Sequence, residues 1–397
     1  MYGFLTCAPS DGKDTFSQMN TPQQEDTPIG GPDNGDSRTP RTIGDLHKTI
    51  TMAQIARAAG VSQGAISSLL NDRDYGIRVS EKTRERVFKV CREMGYIPND
   101  LRAVVRMYPE LGDFCLLISS GIECGLSDPF IARLAQSSMK AITEPSHPLT
   151  IAFYDEGVDY LAEPDRLPHP IRSGVTSKFL LVGEPNHSLL QQLSRRGLPA
   201  MSLGADVPVE GVVSLVPDFA GASKLAVEHL FRLGHEHIAI VSGLFGSNNA
   251  RVIDLHRGIR QAYDQFQVPI EAQNIVYGDL SYQAGVNALD ELLSHPVKPT
   301  AAFCLSDGAA AGIVSKAQQR GLRVPEDLSV IGCSNDFCAQ SMLPQLTTVH
   351  IPAEEIAEIA VKEIDRLVRS GTQFEAQKRT IPVRLVERGS TAAPQKS

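Results

Sequence analysis

No stretch of this 397-residue sequence offers eighteen consecutive apolar residues, so no candidate membrane-spanning helix is present and no membrane partner is expected. The first residues, MYGFLTCAPSDGKD, lack a basic segment followed by a long apolar one, which argues against secretion and for a cytoplasmic protein. Cysteine pairs at CxxC spacing are also missing. The seven cysteines are an odd and scattered set, and Cys115, Cys304 and Cys333 lie inside apolar runs, so they read as buried, reduced thiols. Catalytic signatures are missing too: the chain has no nucleophile elbow and no Ser-His-Asp order, and Gly243-x-x-Gly246 lacks the Lys-Ser/Thr of a phosphate loop. His235 and His237 would share one strand face, but zinc needs three or four ligands and nothing nearby in sequence completes the set. No enzyme activity, metal or cofactor is expected.

What is present is unevenly distributed. Residues 1–47 carry 3 basic and 7 acidic side chains, residues 48–107 carry 11 and 6, and residues 108–397 carry 24 and 33, giving net charges of -4, +5 and -9. A small basic module therefore stands on an acidic body, and polyanion binding needs local positive charge rather than a positive whole. The first segment, with its TPQQEDTPIGGPDNGDSRTP, has little to bury and reads as a disordered tail over 1–47.

From Met52 the pattern turns helical. A short helix is expected over about 52–59 and a second over about 63–70, with Gly60 suited to end the first and Ser62 to cap the second. A third follows Ser80, where Val87, Val90, Cys91 and Met94 fall on one face. From residue 113 onward, apolar runs alternate with amphipathic segments. The runs are FCLLI, TIAFY, KFLLVG, AMSLG, VVSLV, HIAIVSG, NIVYGD, AAFCLSD and LSVIGCSND, followed by TTVHI and TIPVRLVE. Near-continuous apolar strands between helices indicate parallel sheets covered on both faces, and this number of strands suits two doubly wound lobes with a cleft between them.

Two short helices joined by a turn at Gly60, in QIARAAGVSQGAISSLLN, make the pattern of a helix-turn-helix unit, whose second helix would enter the DNA major groove, although an αα-hairpin in a small bundle shows the same pattern. The segment from Thr51 to Asn99 resembles the DNA-binding headpiece of the lactose/galactose repressor (LacI/GalR) family. In the same order, HLFRLGHEHIAIVSG, LSDGAAAGI, GLRVPEDLSVIGCSND and PQLTTV resemble that family's regulatory core. The resemblance spans about 50–388. It implies a small all-α headpiece over 48–98, a hinge helix and linker over 99–112, a two-lobed α/β core over 113–390 resembling type I periplasmic binding proteins with three crossover strands, and a C-terminal tail over 391–397.

The resemblance also implies a site on each part. At the headpiece, Gln63 and Gly64 take the positions of the two residues that open the recognition helix against base edges, and Ser68 stands where the family usually has an arginine. Thr51, Ser62, Ser67 and Asn71 join them as candidates for hydrogen bonds to bases or phosphates, with Arg78, Thr83, Arg84 and Asn99 near the DNA backbone. In the hinge segment DLRAVVRMY, Val105 takes the place of the leucine that wedges into the minor groove, flanked by Arg102 and Arg106. In the core, ligands of open α/β sheets sit beyond the carboxyl ends of the strands. Ser119, Phe130, Asn249, Arg251, Tyr282 and Asp307 are the effector-binding candidates. Leu255 occupies the position of the family's effector-binding arginine and Leu280 that of a stacking aromatic, and spacing sets Arg251, Arg257 and Tyr282 on different faces.

The expected protein is a homodimeric, sequence-specific regulator of transcription, of the repressor kind. Its partners are a double-stranded DNA operator and a small-molecule effector held between the core lobes. The alternatives are a ligand-independent regulator that uses the core only to dimerise, and a solute-binding protein.

Overall fold

A computed structural model describes residues 50–71, 79–96, 98, 101–122, 125–142, 147–243, 250–370 and 376–395; of Asn71, Leu101 and Arg106 it describes the backbone alone. The expected tail 1–47, Arg78, Asn99 and Asn249 lie outside the described residues, as do the side chains of Asn71 and Arg106.

The headpiece forms where its capping residues direct it. Helix α1 (Met52–Ala59) starts at Thr51, whose side chain accepts from Gln54 N while Gln54 Oε1 accepts from Thr51 N at 2.8 Å, a reciprocal capping box. It stops at Gly60, held at φ 62°, a left-handed conformation that a side chain would disfavour. Ser62 Oγ then accepts from Ala65 N at 3.1 Å and opens α2 (Gln63–Asn71). Ser80 does the same for α3 (Glu81–Met94). Ile55, Ile66, Leu70, Val87 and Cys91 close a small core between the three helices. Val90 and Met94 pack at its edge, so the expected face of α3 is the buried one.

A fourth helix, α4 (Leu101–Met107), follows in the expected hinge, and Ala103 and Met107 are buried against the headpiece core. The chain then enters the first lobe: β1 (Asp113–Ser119), α5 (Pro129–Ala141), β2 (Leu149–Tyr154), α6 (His169–Ser173), β3 (Thr176–Val182), α7 (His187–Arg195), β4 (Ala200–Leu203) and β5 (Val212–Pro217). The second lobe carries α8 (Phe219–Arg232), β6 (Ile238–Ser242), α9 (Ala250–Phe266), β7 (Ile275–Tyr277), α10 (Tyr282–Ser294), β8 (Ala301–Cys304), α11 (Asp307–Gln319), β9 (Ser329–Ser334), α12 (Phe337–Ser341) and β10 (Thr347–His350). Helix α13 (Ala353–Ser370) returns to pack on the first lobe, where Ile356, Ala360 and Ile364 join its core. The chain ends with β11 (Gln377–Ile381) and β12 (Arg384–Val386).

The two sheets have six strands each, in the orders β11-β5-β4-β3-β1-β2 and β12-β10-β9-β8-β6-β7. All neighbours are parallel except β10 and β12, and the central strands are buried along their length, as their apolar runs require. Three passages of chain join the lobes: from β5 into α8, from β10 into α13, and from β11 into β12. The run TIPVRLVE, expected as one strand, is two. Pro382 follows Ile381, has no N–H to give a ladder, and the chain changes sheets there.

Two further expectations are corrected. His235 and His237 precede β6 rather than share one of its faces. The ring nitrogens of His235 meet Thr300 Oγ1 and the Ala392 carbonyl, each at 2.8 Å, and burial lowers its pKa, so it serves packing. The expected tail 391–397 is docked at its start: Thr391 Oγ1 lies 3.0 Å from His229 Nε2, and Ala392 N donates to Ser329 Oγ at 3.0 Å.

Candidate functional site

The capping geometry leaves the first turn of α2 open: Ser62, Gln63 and Gly64 are exposed while Ala65 and Ile66 turn inward. Ser67 and Ser68 are half-buried. Thr51 is exposed at the head of α1. Thr83 Oγ1 lies 2.9 Å from Ser80 Oγ, within the cap of α3. Arg84 is exposed and pairs with Glu81 at 3.4 Å, a solvated ion pair that a phosphate can displace at small cost. A helix with a short polar first turn beside a basic residue on the next helix is the arrangement that reads base edges and holds a backbone.

The hinge shows a different face. Arg102 is exposed and its stem approaches Gly174 of the first lobe. Val105 is 5% exposed, turned against Gly112 and Ser177, so in this arrangement it is not presented to a groove. What fixes the segment is a set of contacts at both ends. Arg92 Nη1 donates to the Met107 carbonyl at 3.1 Å and Tyr108 Oη to the Tyr96 carbonyl at 3.3 Å, tying hinge to headpiece. On the other side, Ser177 Oγ donates to the Pro109 carbonyl at 2.6 Å, and Lys178 Nζ to the carbonyls of Glu110 and Gly112 at 2.9 and 3.2 Å. Lys178 is fully buried, lies 4.5 Å from the centre of the Phe114 ring, and pairs with Asp365 of α13 at 3.2 Å. The sequence pattern had shown Lys178 only as the head of an apolar run.

Between the lobes, the strand ends enclose a cavity of about 270 Å³. The first lobe contributes Ser119 after β1, Phe130 of α5, and the segments after β3 and β4; the second contributes Phe219, Arg251, Ser334 and Ile351. Phe130 packs against the apolar cores of both lobes. Ser119 Oγ donates to Glu156, which also takes Gly121 N at 3.1 Å. Three of the six effector candidates, Ser119, Phe130 and Arg251, are thus brought together. Arg251 lies one turn before Leu255, on the same side of α9.

Tyr282 and Asp307 are not brought to the cavity. Tyr282 is the first residue of α10 and is 47% exposed. Asp307 is fully buried: Oδ1 accepts from Thr348 Oγ1 at 2.6 Å and Oδ2 from Asp336 N at 2.7 Å. Nor does it cap α11, whose cap is Ser306. Burial raises its pKa against those hydrogen bonds.

Beneath the cavity lies a residue that periodicity could not single out. Arg133 of α5 donates to the Ser334 and Ile351 carbonyls at 2.9 and 2.7 Å, makes a two-bond pair with Glu354 at 2.8 and 2.9 Å, and reaches Asp336 at 3.2 Å. Its partners are about two hundred residues away in sequence, and together they join the lobes. Burial and the nearby Asp307 push Asp336 up to about 7, although Arg133 and Arg251 oppose that shift.

A headpiece with an open recognition turn, tied by a hydrogen-bonded linker to a two-lobed core with a cavity between its lobes, defines a DNA-binding regulator. The comparisons agree part by part. Residues 51–99 match the family of bacterial regulatory proteins called lacI, and residues 227–391 match the periplasmic binding protein-like domain. The HTH-type transcriptional repressor CytR of Escherichia coli is 30% identical over 357 residues, 86% of this chain and 96% of that protein. The HTH-type transcriptional regulator DegA of Bacillus subtilis is 30% identical over 345 residues, 86% of this chain and 98% of its own. A solved complex of the transcriptional regulator CelR with cellobiose superposes with a TM-score of 0.60 at 25% identity, over 86% of this chain and 99% of that one. The chain belongs to the LacI family of bacterial regulatory proteins. It is a DNA-binding regulator of transcription, of the repressor type, and among the described residues no helix is long and apolar enough to cross a membrane.

Proposed function

We propose that this protein is a cytoplasmic, homodimeric repressor, without enzyme activity, whose operator affinity is set by a small molecule in the cavity between the lobes. One observation carries the reading: the cavity and the linker are fastened to the same rigid sheet. β1 ends at Ser119 on the cavity and begins at Asp113 beside the linker, while β3 carries Ser177 and Lys178 at one end and meets the cavity at Val182. A change in lobe closure on ligand binding displaces the sheet end that holds Pro109 to Gly112, and with it α4. That CelR was solved as a complex with cellobiose supports a small-molecule ligand for this protein. The domain limits that go with this function are headpiece 48–98, hinge 99–112, and a core from 113 that takes in the docked residues 391 and 392.

On the operator, Gln63, Ser67 and Asn71 read bases, Thr51, Thr83 and Arg84 approach phosphates, and two α4 helices of a dimer release Val105 from its seat on the first lobe into the minor groove. The test is selection of bound sequences from a random DNA pool by the full-length protein, followed by affinity measurement against salt. The expected outcome is a two-fold symmetric site and an affinity that falls steeply with salt. Sequence-indifferent binding, or full affinity from a monomer, would overturn the reading.

A further inference from the structure

Arg251 is the unusual group on the cavity wall. Its Nε is buried with no hydrogen-bond partner among the described residues, and its guanidinium lies 5.5 Å from the centre of the Phe219 ring. A buried guanidinium donor left unpaired carries a free-energy cost that an acceptor on a ligand would remove. Leu255, one turn further along α9, is fully buried in the second lobe's core, so among the described residues Arg251 is the one that brings a cation from this helix face to the cavity.

The acidic groups around the cavity are already engaged. Asp128 Oδ1 accepts from Phe130 N and Ile131 N at 2.9 and 3.1 Å, Asp206 pairs with Lys378 at 3.0 Å, and Asp336 pairs with Arg133. Glu156 is held by Ser119 and Gly121. Glu184, half-buried, has its pKa raised by burial and by the neighbouring Glu156. Much of the remaining wall is apolar, from Ile122, Phe130, Val182, Leu203, Phe219 and Ile351, and the volume of about 270 Å³ lies near the lower end for ligand pockets.

We propose that the cavity takes a compact organic anion, with a carboxylate or phosphate seated on Arg251 and a ring-sized body between Phe130 and Phe219. This rests on the effector reading above and names its ligand class. Guanidinium binds either oxyanion by paired hydrogen bonds, and the first turn of α9 adds a favourable field.

The experiment is calorimetric titration of the full-length protein with matched pairs: glucuronate against glucose, glucose 6-phosphate against glucose, and benzoate against benzyl alcohol. Operator affinity is measured alongside. At least one acid is expected to bind while its neutral partner binds far more weakly, and Arg251→Gln should weaken that acid about 10- to 100-fold. Arg257→Gln, on an exposed residue paired with Asp254, should leave it unchanged. Carboxylate-only or phosphate-only binding identifies which oxyanion the site takes. Neutral members binding as well as acids, loss of no affinity in Arg251→Gln, or binding by no acid would each overturn the proposal. If a neutral member binds and alters operator affinity, the effector reading survives without the anion. If an acid binds through Arg251 and operator affinity does not move, the anion site stands and the effector reading fails.

Discussion

The two lobes share a sheet order strand for strand, yet they bury charge in opposite senses. In the first, β3 carries Lys178 at the linker end of the sheet, held by Asp365 and two backbone carbonyls. Its counterpart in the second lobe, β8, is Ala301–Cys304, wholly apolar and buried. The second lobe instead buries acid, Asp307 and Asp336, at the cavity end of its sheet. Buried charge is costly unless satisfied, so its placement marks where each lobe has a task besides folding. In the first lobe that task is gripping the linker; in the second, Asp307 holds the Asp336 backbone and Asp336 meets Arg133 across the lobe junction.

The contrast is broken most directly at Lys178. Lys178→Met should destabilise the first lobe by about 2–3 kcal/mol, because it leaves two linker carbonyls without their donor and Asp365 with Arg369 as its remaining ion-pair partner. Asp365 is 28% exposed, so water takes up part of that loss. Replacing both partners, as Lys178→Met with Asp365→Leu, should recover most of the stability without restoring the grip on the linker. Urea unfolding reports the first effect and operator affinity the second. A double variant that regains both would show that Lys178 is a packing residue alone.

The second lobe's acid gives an effect of the order of 2 kcal/mol, and its sign is fixed by the direction of the shift. Asp336 sits at about 7 in the folded protein against an ordinary 3.8, so between those values the folded state binds more protons than the unfolded one. Its contribution to stability therefore grows as pH falls from about 7 toward 4 and is flat above. Wild type should gain on Asp336→Asn by about 2 kcal/mol between pH 7 and pH 5. Denaturation curves for both proteins across that range check it, and parallel curves would show that Arg133 keeps Asp336 ionised.

The same contrast explains what could be read from the sequence. The helices of the headpiece were legible because Thr51, Gly60, Ser62 and Ser80 act on their own neighbours. All of the expected runs became strands because apolar continuity is a local signal too. Pro382 was a visible break in TIPVRLVE, but that it divides two sheets depends on partners far away, β5 and β10. The functional residues that escaped, Arg133 and the linker role of Lys178, are defined wholly by such distant partners. Asp307 and Tyr282 were misplaced for the converse reason. Resemblance fixes their position on the chain, whereas Thr348 and the backbone of Asp336 decide where the Asp307 carboxylate turns.

The smallest effects belong to the headpiece, where the contrast between kinds of buried charge gives way to one between kinds of exposed contact. Gln63 opens α2 with no partner to hold it away from a base edge among the described contacts, and Arg84 sits one helix later in a solvated pair with Glu81. Neither change should alter folding, since both side chains are exposed. Gln63→Ala should cost about 1–2 kcal/mol on the preferred site and flatten the base preference at one position in each half-site. Arg84→Ala should cost less, under about 1 kcal/mol, spread evenly over all sequences, and reduce the slope of affinity against salt by about one per contact. Affinities for the selected operator, for single-base variants of it and for unrelated DNA, each at several salt concentrations, separate the two. If Gln63→Ala weakens every sequence equally, it contacts the backbone, and base reading must then fall to Ser67 and Asn71 further along α2.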